Sequence, residues 1–177
     1  MSIQRYTLPA IAFHWAQAIV IIWLLWLGWT MIDLPKGGER SAAYSLHKSL
    51  GMLMLALVLV RLYWRSRSPA PPLTATGWEG QLARNTHQAL YVFLLLAPLA
   101  GYLASSFSPY ALKFFGIEIA KVGWPDESIN SFFKLLHEAA VWGGAVLIGL
   151  HIAGAIKHLL KGDGMFKRML PGRTSGN

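Results

Sequence analysis

His14, His47, His87, His137, His151 and His158 stand at or near the ends of four strongly apolar stretches. An imidazole at membrane depth is costly unless something pairs with it, so such residues mark ion, proton or cofactor sites. Neutral imidazole nitrogen suits iron among the common biological metals. The chain has no cysteine, which excludes disulfides, thiolate-held zinc, cysteine-held iron–sulfur clusters and covalent haem attachment through Cys-x-x-Cys-His. The pattern reads first as non-covalent clamping of haem iron between pairs of imidazoles, and with it electron transfer.

Such side chains need elements that place them at defined depths. The sequence is 54% hydrophobic and 14% charged, against roughly 25% charged in soluble domains. Its formal charge of +8 does not point to nucleic acid, because a binding stripe needs a soluble basic face and long uncharged stretches dominate the middle of the chain. The apolar stretches cover about 8–34, 44–64, 84–104 and 130–160, each near the roughly 20 residues that cross about 30 Å of hydrocarbon. The first carries Trp15, Trp23, Trp26 and Trp29 and lacks a small-residue cleavage site, so it reads as a retained helix and not a signal peptide. The expectation is an all-α integral membrane four-helix bundle, one domain over 1–177. Pro98 should bend the third helix. The segments 35–40, 66–77 and 105–129 read as loops, the last long enough for a short surface helix over 110–119.

With both termini cytoplasmic, ten basic residues fall on the inner side and six on the outer, the orientation that the positive-inside rule favours. His14 and His87 then lie towards the inner face and His47 towards the outer. His137 and His151 are fourteen residues apart on one helix, a rise of about 21 Å with the side chains within about 40° of one direction. One helix face therefore addresses two layers. The outer layer pairs His47 with His137. For the inner layer, spacing leaves three combinations among His14, His87 and His151.

The histidine pattern, together with RYTLPAIAFHW, YSLHKSLGMLML, NTHQALYVFLLLAPLAGYLA, FFKLLHEAAVWGGAVLIGLHIAGAIKHLL and the terminal MLPG, resembles the bacterial cytochrome b561 family over nearly the whole chain. The likeness is greater to its small quinone-linked members that oxidise superoxide. This resemblance implies two haem b groups in a bacterial inner membrane: His14 and His151 ligating the inner iron, His47 and His137 the outer. It places His87 and His158 near a site for ubiquinone, where a histidine can orient a carbonyl and relay a proton. It also implies a superoxide:quinone oxidoreductase whose only catalytic groups are the haems.

A basic outer rim of Lys36, Arg40, Lys48, Lys113, Lys121 and Lys134 would attract a small anion, although nearby acids partly cancel it. The alternative is a general electron-transfer subunit serving a partner dehydrogenase or cytochrome. A transport or scaffold subunit without haem is less well supported, since no inverted repeat is evident. Gly51, Gly101, Gly143, Gly144, Gly149 and Gly154 would let a macrocycle or a neighbouring helix approach the backbone. Arg61 and Arg65 suit haem propionates or lipid anchoring.

Overall fold

The computed structural model describes residues 5–68, 71 and 77–172. Its elements are α1 (Leu8–Thr30), α2 (Gly38–Arg67), α3 (Gly77–Ser106), strands β1 (Lys113–Phe114) and β2 (Ile117–Glu118), α4 (Glu127–Lys161) and a 3-10 turn over Phe166–Met169. All four α-helices are long and apolar enough to span a membrane.

Helix boundaries follow capping chemistry more than hydropathy. Pro9 starts α1 with its backbone φ already set for a helix. The helix ends at Thr30, whose hydroxyl donates back to the Trp26 carbonyl at 3.0 Å, rather than running on to 34. The polar segments Gly38–Ala43 and Gly77–Ala83 are helical too, with Glu39 and Glu79 in first turns where the dipole favours negative charge. Apolar composition marks only the part of a helix inside hydrocarbon, and these helices continue past it. α4 is capped by the Asp126 carboxylate, which accepts from the Ile129 amide at 2.9 Å, and stops at Gly162 in the left-handed region, φ 66°. α3 runs unbroken through Pro98. Of the expected loop 66–77, α2 takes the first two residues and α3 the last, while 69–70 and 72–76 lie outside the described residues.

The surface helix expected over 110–119 is replaced by a hairpin. β1 and β2 pair antiparallel, Lys113 with Glu118 and Phe114 with Ile117, leaving Phe115 and Gly116 as the turn. Both have positive φ, 46° and 91°, as a tight primed turn demands. Gly116 makes that turn affordable and, once formed, it forbids a continuous helix.

The helices pack in chain order, α1 on α2, α2 on α3 and α3 on α4, and α1 meets α4 through rings, Trp29 with Trp142 and His14 with His151. Leu24, Met54 and Val58 form the buried core between α1 and α2, with Leu94 and Leu95 of α3 against it. Gly144 of α4 seats the Phe93 ring of α3, which leaves no space for a Cβ. Large apolar side chains such as Trp23, Trp26, Val146 and Leu160 are exposed, as expected of a lipid-facing surface. The described N- and C-terminal segments lie together at one end: the Tyr6 amide donates to the Arg168 carbonyl at 3.2 Å and the Trp15 indole to the Met169 carbonyl at 2.8 Å. We call this the terminal end and the other the hairpin end.

Candidate cofactor site

Each helix contributes one residue to each of two layers, fourteen residues apart. At the terminal end these are His14, Arg61, His87 and His151; at the hairpin end, Gly28, His47, Gly101 and His137. Fourteen residues are close to four turns, so each helix shows both layers nearly the same face, about 21 Å apart.

At the hairpin end the rings of His47 and His137 face each other with centroids 6.1 Å apart and planes at 88°. At the terminal end His14 and His151 stand 6.0 Å apart at 66°, and His87 approaches His151 to 5.3 Å. Two imidazoles binding one metal from opposite sides, each with its nitrogen about 2 Å from the ion, have centroids about 6 Å apart. His47 with His137, and His14 with His151, meet that spacing; His87 with His151 falls short of it.

The hairpin-end rings lie directly against helix backbone. A Cβ on Gly101 would stand 3.1 Å from His137 Nδ1, and one on Gly28 would stand 3.2 Å from His47 Cε1, so the missing side chains admit the rings. His137 Nδ1–H donates to the Ala97 carbonyl at 2.7 Å. That bond assigns the tautomer and leaves Nε2 with its lone pair directed away from α3, the usual arrangement for a metal-binding histidine. His47 Nδ1 is buried and without a hydrogen-bond partner, a costly state for a polar atom, and one that suits a ring held from its other nitrogen. Among the described residues no group of three or more His, Asp or Glu could hold a metal ion; a haem asks for only two axial side chains. The hairpin-end layer therefore fits a haem, with facing imidazoles, glycine-lined backing and one fixed tautomer; the terminal-end layer shares the facing imidazoles.

The remaining expected site residues are not gathered in one place. His87 is exposed, and its Nδ1–H donates to the Ala83 carbonyl at 2.6 Å. His158 pairs with Asp163 at 2.5 Å beside the exposed Lys157–Glu79 bridge. The His158 hydrogen bond, helped by one from the Met165 amide, holds the Asp163 carboxyl below the ordinary carboxylate range. Arg61 bonds Gln17 and His14 inside the bundle, whereas Arg65 is exposed. Of the glycines singled out, Gly101 and Gly144 make the close approaches described, while Gly51, Gly143, Gly149 and Gly154 have nothing within 4 Å of a built Cβ. Sequence reading missed Gly28 and Gln17; the fourteen-residue register from His14 leads to Gly28, and no local signal marks Gln17.

The prokaryotic cytochrome b561 family model matches residues 5–172. Cytochrome b561 homolog 2 of Escherichia coli (strain K12) is 34% identical over 98% of this chain and 95% of its own length. The probable superoxide oxidase CybB of Yersinia pestis is 23% identical over 95% of this chain and 97% of its own length. The match over nearly all of the chain, on a bundle of four membrane-spanning helices, makes this a multi-pass bacterial inner-membrane electron-transfer protein, and the chain belongs to the bacterial cytochrome b561 family.

Proposed function

We propose that the chain is a two-haem b-type electron carrier, with His47 and His137 holding iron near the hairpin end and His14 and His151 holding iron near the terminal end. The observation that carries this reading is the pair of facing imidazoles in each layer, 6.1 and 6.0 Å apart. When bound, each haem takes up and gives back one electron. The chain's own part is to fix the rings that would hold it, as the Ala97 carbonyl does for His137, among apolar helices. The excess of basic residues supports a cytoplasmic position for the terminal end. The carrier then serves a partner dehydrogenase or cytochrome, as a general subunit of this family.

The test is a reduced-minus-oxidised spectrum with haem quantification on purified protein. Two b-type haems per chain are expected, one in His47→Ala; retention of both in that variant would sink the axial assignment.

A second reading is oxidation of superoxide at the hairpin end with delivery of electrons to ubiquinone. It is favoured by Lys48, Lys121 and Lys134, which lie close enough at that end to interact electrostatically, and by the superoxide oxidase relative. His87 and His158 are its quinone-site residues: each has Nδ1 engaged, leaving the Nε2 lone pair to accept from a quinol hydroxyl, and the Asp163 carboxylate holds the His158 ring in place. Stopped-flow reduction by superoxide, with reoxidation by quinone and no partner present, separates the two. A stable partner complex with negligible activity alone selects the first. In the second, His158→Ala leaves haem content intact and slows quinone reduction.

A further inference from the structure

The terminal-end layer differs from the hairpin-end layer in one respect that haem ligation does not explain. In place of a histidine, α2 supplies Arg61, half-buried in the bundle and stacked on Tyr91 with its guanidinium carbon 5.4 Å from the ring centroid. Its Nη1 donates to Gln17 Oε1 at 2.6 Å, and its Nη2 lies 3.5 Å from His14 Nδ1. Among the described residues no carboxylate pairs with it. A half-buried guanidinium without a counter-charge is costly. Beside it, Gln17 is 2% exposed and its Nε2 donor has no partner. An uncompensated cation and an orphaned amide donor, side by side, lack the same thing: an anionic oxygen.

A cavity of about 80 Å³ adjoins Arg61, lined also by Arg5, Arg65, Trp64, Tyr91 and Met169. It holds three arginines and no acid. The N- and C-terminal segments bound it, with Arg5 Nη1 donating to the Leu170 carbonyl at 3.4 Å and the Trp64 indole to the Thr7 hydroxyl at 3.1 Å. This volume is well below the roughly 300–1,000 Å³ of a pocket for a whole small molecule. It suits one acidic arm of a ligand.

We propose that Arg61, with Gln17 bonded behind it, forms a binding slot for an anionic oxygen group, a carboxylate or phosphate, entering by the cavity that the N- and C-terminal segments bound. The slot bears on His14 as well. Arg61 Nη2, which can only donate, lies 3.5 Å from His14 Nδ1, so an anion that draws the guanidinium over also changes what faces that ring. The group has two sources, a propionate of a haem in this layer or the phosphate of an anionic lipid. The first rests on the two-haem reading and the second does not.

The experiment uses full-length protein purified with its native complement of haem and lipid, comparing wild type, Arg61→Gln, Arg61→Lys and Gln17→Leu. Haem loss to excess apomyoglobin is timed for each layer, the midpoint potentials are titrated, and retained phosphatidylglycerol and cardiolipin are measured by native mass spectrometry. If the oxygen is a propionate, Arg61→Gln speeds loss of the terminal-end haem by at least about tenfold, the low end for removing a supporting contact. It also lowers that haem's potential, leaves the hairpin-end haem unchanged, and is largely rescued by lysine. If it is a lipid phosphate, haem loss and potential stay put while bound anionic lipid falls. Gln17→Leu moves the same readout less far, and carries the test if Arg61→Gln does not fold. Unchanged haem retention, potentials and bound lipid in the folded variants would overturn the slot. Wild type without haem would sink the two-haem reading and leave bound lipid to decide this one.

Discussion

Gly101→Ala tests the hairpin-end layer without touching a ligand. The added Cβ would stand 3.1 Å from His137 Nδ1 and 3.2 Å from Cε1, so the ring must give by a few tenths of an ångström. It has little freedom to do so, because Nδ1–H is bound to the Ala97 carbonyl of the same helix at 2.7 Å. The ring can retreat only by stretching that bond and advancing on His47, already 6.1 Å away by centroid. Losing such an outer contact of a metal-bound histidine costs about 10–100-fold in affinity, or about 1.4–2.8 kcal/mol. The bond here is strained but not deleted, so the expected effect is near the lower value. Alanine also improves helix propensity over glycine by about 1 kcal/mol, so general destabilisation does not explain a loss. The assay is haem transfer from purified protein to excess apomyoglobin, the hairpin-end phase being the one absent in His47→Ala. That phase should accelerate about tenfold while the other is unmoved. Gly143→Ala, where a Cβ meets nothing within 4 Å, should behave as wild type. Wild-type kinetics in Gly101→Ala, or equal loss of both haems, would refute the reasoning.

The hairpin is tied to α2 through Ser49, 1% exposed, whose hydroxyl accepts from the Phe115 amide at 2.9 Å and donates to the Ser45 carbonyl at 2.8 Å. Ser49→Ala orphans that amide at a cost of about 1–3 kcal/mol, and should raise hydrogen exchange at Phe115 and tryptic cleavage after Lys113. Asn130 Nδ2 donates to the Ala104 carbonyl at 2.6 Å, joining α3 to α4; Asn130→Ala should lower the thermal midpoint in detergent, and an unchanged midpoint would show that the bond adds nothing. Asp163 titrates below the ordinary carboxylate range because His158 hydrogen-bonds it. A depressed folded pKa contributes stability above the unfolded value and loses it as pH falls through the folded one. The His158–Asp163 contact should therefore persist at mildly acidic pH and open only below the ordinary aspartate range. Carboxyl NMR should return Asp163 towards an ordinary pKa in His158→Ala, and an unmoved resonance would contradict the assigned cause.

The four spans, the fourteen-residue step from His137 to His151 and the pairing of His47 with His137 by depth were legible in the sequence, because a bilayer imposes length and apolarity on each helix separately. Helix ends were less legible: Gly38–Ala43 and Gly77–Ala83 are polar, and only backbone hydrogen bonding and dipole chemistry make them helical. The hairpin was hidden because its signal is a single Phe115–Gly116 turn inside a loop with other turn residues.

Spacing along one helix sets depth but not azimuth, so sequence left His14, His87 and His151 as three ways to build the inner pair. Packing decided which rings face at 6.0 Å and which crowd to 5.3 Å. In the same way Gly28 and Gln17 acquired meaning only when α1 and α2 met, and Arg61, a candidate by sequence, gained its partners there. A glycine is a cradle only if a ring lies against it, and an arginine is uncompensated only if no acid folds beside it. Sequence determined the layers, one helix at a time; tertiary structure decided which side chains meet in each layer, because contacts across helices depend on rotation that hydropathy does not encode.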